Sequence, residues 1–313
     1  MTSYIKALKK YTILAGKKEA AVLMLTILAG KMGITLNKKS QRLQERWKFF
    51  KDLTGEETIQ ILATGDHEFR LSALANQSGE SPVKLALRVP VSESSDLLVF
   101  DQIFLKQEYQ HVLDWFSSVC PQGKIDAIMD LGGNIGCAAL FFSTRFPAAA
   151  IFCVEPEAGN YERLRLNLAL NSARKIKSHR AAIWTHSGKL QCVHDFRDKK
   201  ESSSRFVEPS GDNETGTQQA DGMNIRTLMQ MAGFKRIDLL KMDIEGAEAA
   251  LFRDADFQDF LRENVLRVAV EVHEEFIKIE EVAAILQALQ FETNAVDEFL
   301  CGIKHNSARL ESQ

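Results

Sequence analysis

The sequence predicts an α/β domain built on a mostly parallel sheet with helices on both faces, preceded by a basic, mainly helical extension. Two observations lead there. After residue 124, short apolar runs alternate with helical stretches of about 10–15 residues, the rhythm of consecutive βα units. Before that, residues 1–51 carry twelve Lys and Arg against only Glu19 and Glu45, whereas residues 52–313 carry 27 basic and 40 acidic side chains. The two parts are chemically different, and we place them at 1–80 and 81–313.

The elements follow in chain order. Ala, Leu, Met and Lys dominate the first fifty residues, which predicts short helices broken at Gly16, Gly30 and Gly33. Residues 20–29 are apolar on every side, so a helix there is buried in a core or lies in a membrane interface. Ten apolar residues fall short of the ~20 that cross a bilayer. A long polar stretch precedes them and no small-residue cleavage pattern follows, so no signal peptide is expected.

From Pro82 the pattern turns to alternating apolar and polar residues, predicting a strand at Val83–Val89 and a turn at Ser92–Ser95. Ile103–Val119 is an amphipathic helix ending before Pro121 and Gly123. Strands are then expected at Ile125–Leu131, Ala150–Val154, Ile176–Ile183, Ile237–Met242 and Leu266–Val272, and near 291–296 and 299–303. Helices are expected at Ile135–Arg145, Ala158–Asn171, Gly246–Phe260 and Glu280–Gln290. Residues 195–221 break the rhythm: they hold eleven charged residues and four apolar ones, and are expected to form a lid or a disordered insertion.

Composition narrows the function classes. With 45% apolar and 26% charged residues the chain is globular, and wholesale disorder is excluded. Cys120, Cys137, Cys153, Cys192 and Cys301 lie far apart with no C-x-x-C pair, which predicts neither disulfides nor a thiolate metal site and suits a reducing, cytoplasmic compartment. The basic arm fits an acidic partner or membrane surface, self-association, or docking on its own acidic body. We expect weak, salt-sensitive attraction to anionic vesicles and no specific nucleic-acid partner.

Three segments carry the chemistry. Asp130-Leu-Gly-Gly-Asn-Ile-Gly136 follows an apolar strand and opens a helix, so Gly132, Gly133 and Gly136 shape a cradle with Asp130 as acceptor. Asn134 and Cys137 occupy positions where the pyrophosphate fingerprint needs glycine, which disfavours a dinucleotide. Glu155, before Pro156, ends the next strand and suits a carboxylate that accepts ribose hydroxyls. The pair of sites describes a nucleoside held without phosphates, the pattern of S-adenosylmethionine. Asp243, Glu245 and Glu248 then follow the strand containing Lys241, and Glu271 and His273 share one face of the strand after that. Asp243 and His273 are acid/base candidates and Glu245 an acceptor-orienting one. Asp243, Glu245, Glu271 and His273 are also metal-competent, but their spacing matches no defined motif and no metal is assigned.

At these residues the chain resembles the FkbM family of S-adenosylmethionine-dependent methyltransferases. The resemblance rests on Asp130–Gly136, Val154-Glu-Pro156, Arg226-Thr-Leu228, Ile237–Glu248 and Glu271-Val-His273, with Asp96–Tyr109 upstream. It implies the class I methyltransferase fold, a Rossmann-like seven-stranded sheet of order 3-2-1-4-5-7-6, and O-methylation of a hydroxyl on a sugar, other glycan or secondary metabolite. Its rivals are an NAD-dependent oxidoreductase on a similar sheet and a non-catalytic cofactor-binding protein.

Overall fold

The computed structural model describes residues 8, 9, 12, 17–32, 41, 44, 47, 59–64, 68–73, 82–88, 95–121, 123–172, 174–194, 204–209 and 218–304. The chain divides into two compact units, Met1–Phe104 and Leu105–Gln313.

In the first unit, helix α1 (Lys17–Lys31) takes in the apolar run and continues through Gly30, so the break expected there does not occur. Gly16, Gly33 and the turn at 92–94 lie outside the described residues. Strands β1 (Ile59–Thr64), β2 (Glu68–Ala73) and β3 (Val83–Arg88) form an antiparallel sheet of order β1-β2-β3. Two corrections follow. The described residues of the extension after 58 form strands and no helix, and the strand assigned from sequence to the main domain pairs with β2 instead. Six-residue strands with irregular alternation, such as Ile-Gln-Ile-Leu-Ala-Thr, do not stand out beside helix-forming neighbours. Helix α2 (Asp96–Phe100) follows, with Asp96 buried and bonded to the Arg88 backbone N–H at 2.7 Å and to its guanidinium at 2.7 Å.

The single helix expected over Ile103–Val119 is interrupted. A π-helical turn covers Asp101–Leu105, Gln107 adopts a left-handed backbone with φ 56°, and helix α3 runs over Glu108–Val119.

The second unit has the α/β alternation that the sequence predicts. Its strands are β4 (Ala127–Leu131), β5 (Ala150–Val154), β6 (Ile176–His179), β11 (Leu239–Met242), β12 (Arg267–Glu271), β13 (Phe291–Val296) and β14 (Phe299–Lys304). They pair in the order β13-β14-β12-β11-β4-β5-β6, parallel except at β14, which runs antiparallel to both neighbours. Numbered as the sheet's own seven strands, this is 3-2-1-4-5-7-6 read from the other edge. The helices are α4 (Cys137–Arg145), α5 (Ala158–Leu170), α6 (Ile225–Ala232), α7 (Glu248–Arg253), α8 (Ala255–Asn264) and α9 (Ile279–Ala288). The expected helix Gly246–Phe260 is two helices, because Asp254 adopts an extended backbone and caps the second through the Phe257 N–H. Met129, Leu131, Leu240, Met242, Val268 and Val270 meet Phe252, Phe257, Phe260 and Leu286 in the core. Each such buried side chain is worth about 1.5–3 kcal/mol. Stability therefore comes from the faces of the sheet, and its edges are available for chemistry.

The expected strand Ile176–Ile183 splits after His179. Its last two residues, β7 (Ala182–Ile183), leave the main sheet and join β8 (Gly188–His194), β9 (Ser204–Val207) and β10 (Gln219–Met223) in a second sheet of order β7-β10-β8-β9. The segment expected to be a lid or disordered thus contains β9 and most of β10. Residues 195–203 and 210–217 lie outside the described residues. A four-residue strand with one buried aromatic, Phe206, has too few apolar positions to show a period of two.

Candidate active site

The parallel strands β4, β5, β11 and β12 all end at one edge, and the residues singled out from sequence gather there. The turn after β4 is shaped by its neighbours. The N–H groups of Gly132 and Gly133 both donate to the Val154 carbonyl, at 3.0 and 2.9 Å. A Cβ on Gly132, whose φ is +78°, would lie 1.6 Å from the Asp243 carbonyl oxygen, and one on Gly133 would lie 2.1 Å from Cys153 Sγ. Adjacent strands thus exclude side chains here before any ligand is considered. Gly136, φ +91°, begins α4 in a left-handed conformation, and Leu164 is what its Cβ would touch.

Asp130 is fully buried under the turn. Lys241 Nζ lies 3.1 Å from its Oδ1, donates to the Gly132 carbonyl at 2.7 Å and sits 3.8 Å from Asp243. Burial pushes the Lys241 pKa down, but Asp130, Tyr109 and Asp243 outweigh it and hold the ammonium well above its ordinary value. The acceptor foreseen in Asp130 is therefore engaged by Lys241, and the pair holds the turn rather than facing the cleft.

Glu155 ties two loops together. Its Oε2 accepts the Asn134 N–H and its Oε1 the Glu157 N–H, both at 2.8 Å. Burial raises its carboxyl to about 7 against the pull of those two bonds. Each oxygen keeps a lone pair. Asn134, at φ 49°, brings its Oδ1 to a buried position with no hydrogen-bond partner.

Glu155 and Asn134 line a cleft of about 570 Å³, counted to its open mouth. Gly132, Pro156, Asp243 and Glu245 also border it, and Ala181, Ala182, Ile183 and Phe206 form an apolar wall. Asp130, Gly133, Gly136 and His273 stand behind the lining. The apolar wall was not visible in the sequence, because it comes from the second sheet. Its one signal was Phe206, one of four apolar residues in a largely polar insertion.

The other side of the cleft is acidic. The turn after β11 is unusual: Glu245 has φ 54° and Gly246 φ +96°, and a Cβ on Gly246 would strike the Phe276 ring. His273 holds this turn. Its Nδ1 lies 3.1 Å from Glu248 Oε1, which also accepts the Ile244 N–H, and its Nε2 lies 3.3 Å from Glu245 Oε2. Burial lowers the imidazole pKa, but the bonds to Glu245 and Glu248 outweigh it and push it up to about 11. An imidazolium with both N–H groups engaged has no lone pair for a substrate proton. This corrects the expectation of His273 as a base: the geometry gives it a positioning role.

Asp243, Glu271 and His273 offer ligand atoms within 4.8 Å of one another. A cation there would compete with Lys241 and with the carboxylates on both His273 nitrogens. Repulsion from Asp243, then burial, raises Glu271 to about 9. Glu108, at the start of α3, is raised to about 7 by burial and then by Glu298 and Asp243, with Lys241 opposing. Glu108 lies within the Asp96–Tyr109 stretch but was not singled out from sequence, because no strand end marks it. Asp243 and Glu245 are the acids of this side that border the cleft.

Known proteins match this part of the chain in sequence. A family model described as "Methyltransferase FkbM domain" matches residues 130–300, more than half of the chain. "Methyltransferase 1" of Beauveria bassiana (strain ARSEF 2860) is 23% identical over 192 residues, covering 55% of this chain and 77% of that protein. "Methyltransferase sdnD" of Sordaria araneosa is 27% identical over 173 residues, covering 47% of this chain and 66% of that one. A crystal structure of the methyltransferase FkbM from Methylobacillus flagellatus KT aligns with TM-score 0.40 at 14% identity, over 57% of this chain and 43% of its own. The matched span runs from the Asp130 end of β4 to the Leu300 position of β14 and contains the whole cleft, so the chain belongs to the FkbM family of methyltransferases.

Proposed function

We propose that the cleft binds S-adenosylmethionine and that the enzyme transfers its methyl group to a hydroxyl of a sugar or secondary metabolite. The observation that carries this reading is the cleft's asymmetry: an apolar wall and Glu155 on one side, Asn134 and the acids on the other. The residues present fit that cofactor. Pro156, Ala181, Ile183 and Phe206 would take a purine ring, and Glu155's remaining lone pairs would accept ribose hydroxyls. The buried, unpartnered Asn134 Oδ1 would accept from an ammonium group.

When bound, the cofactor supplies an electrophilic methyl on a sulfonium. The chain's own residues then align and deprotonate the acceptor. A hydroxyl is a weak nucleophile at neutral pH and needs a base within hydrogen-bond reach. Asp243 is that base in our reading, with Glu245 orienting the acceptor and His273 and Glu248 fixing the turn that carries them. Alignment of the acceptor with the methyl group supplies much of the remaining acceleration.

The test is incubation with methyl-labelled S-adenosylmethionine and a panel of sugars and hydroxylated metabolites. Transfer of one label to oxygen, lost in Asp243→Asn, supports the reading. Label on nitrogen, or turnover unchanged in Asp243→Asn, contradicts it.

A further inference from the structure

Helix α1 has two unlike faces. Ala20, Leu23 and Thr26, spaced three apart, are buried, and Gln44 Nε2 donates to the Thr26 carbonyl at 3.0 Å, so the chain packs on this side. On the other side Val22 and Met24 are each 48% exposed, Leu25 67%, Leu28 53% and Met32 69%. At 3.6 residues per turn those five fall within one arc of about 160°, opposite the buried three. Exposed Lys17 and Lys18 project at the start of the same arc.

Contiguous aliphatic surface of this kind marks a binding face. The charge of the segment that contains it selects the occupant. Residues 1–51 carry a net charge of +10, twelve basic side chains less Glu19 and Glu45. A second copy presenting the same face would set like charge against like. An anionic lipid surface satisfies both features at once, since headgroups attract the lysines while the acyl boundary takes the aliphatic arc. The 15-residue helix is about 22 Å long against a hydrocarbon core of about 30 Å. Among the described residues no helix is long and apolar enough to cross a membrane.

We propose that α1 lies flat in the interface of an anionic bilayer, with Leu25, Leu28 and Met32 inserted and Lys17 and Lys18 among the headgroups. This is independent of the methyl-transfer reading. The experiment is co-sedimentation of the full chain with vesicles of phosphatidylcholine alone or with about one third phosphatidylserine. Binding to the anionic vesicles at low salt should fall about tenfold or more in the double variant Leu25→Glu, Leu28→Glu, whose exposed positions leave the melting temperature unchanged. Binding should also weaken as salt rises, and Lys17→Gln with Lys18→Gln should weaken it at low salt only. Failure of the parent chain to bind anionic vesicles, or equal binding by the glutamate variant, would overturn the proposal. So would a dimer in lipid-free solution that the same two substitutions dissociate, which would assign the arc to a second copy.

Discussion

The two edges of the seven-stranded sheet treat charge in opposite ways. At the amino edge, Asp238 is almost fully buried and saturated: its Oδ2 accepts the N–H groups of Asp126 and Ala127 at 2.8 and 3.0 Å, and its Oδ1 takes the Arg236 guanidinium at 2.8 Å. Gly233 and Gln290, in the segments leading into β11 and β13, have positive φ at this edge. At the carboxyl edge Gly132, Asn134, Gly136, Glu245 and Gly246 all have positive φ. Asp243 and Glu298 push up both Glu108 and Glu271, opposed by Lys241, which is already committed to Asp130. Acids that are fully paired stabilise a fold, whereas acids crowded beyond their counter-charges beside a cleft mark a candidate site.

Substitutions at the two edges should separate these roles. The largest effect is expected from Lys241→Met. It strands the buried Asp130 charge, and losing one partner of a buried pair costs about 3–5 kcal/mol, read from the denaturant midpoint. A variant as stable as the parent would mean that the pair does not hold the turn. Asp243→Asn should instead leave stability intact and lower methyl transfer about 10²–10⁴-fold, the usual worth of a general base, measured as kcat with affinity for S-adenosylhomocysteine retained. At the opposite edge, Asp238→Asn should cost about 1–3 kcal/mol of stability, because buried donors lose a charged acceptor. Its kcat below the melting transition should match the parent's, and a fall in kcat would blur the contrast between the edges.

The smallest effect concerns pH. The folded-state pKa of His273, about 11, lies above its ordinary 6.5. Its contribution to stability is therefore fully present below about 6.5 and is lost as pH rises through about 11. His273→Gln should remove that part of the alkaline slope in melting temperature and reduce kcat more than it changes affinity for S-adenosylhomocysteine, since the turn carrying Glu245 loosens. An identical alkaline slope in parent and variant would return His273 to an ordinary buried neutral ring.

Much of this contrast was legible in the sequence, and for a physical reason. Continuous apolar runs such as Ala150–Val154 are what a strand covered on both faces requires, and ligand-facing residues cluster where such runs end. Asp130, Glu155 and Asp243 could be located from that rule alone. Their partners could not. That His273 is clamped by Glu245 and Glu248 depends on a turn with two successive positive φ values, and only Gly246 announced half of it. The apolar wall comes from β7 and β9, two- and four-residue strands too short to show periodicity. Strand β3 alternates clearly in sequence, yet nothing local said that it would pair with β2 and not with the main sheet, because pairing is a property of distant residues.

The central claim is that the carboxyl edge, through Glu155, grips the nucleoside of the methyl donor. Calorimetric titration of S-adenosylhomocysteine into the parent, Glu155→Ala and Asp238→Asn proteins tests it most directly. The account predicts one-to-one binding by the parent and by Asp238→Asn, and loss of about tenfold or more in affinity in Glu155→Ala, where charge-assisted bonds to hydroxyls are removed. Equal affinity in the Glu155→Ala protein, or no binding by the parent, would contradict it.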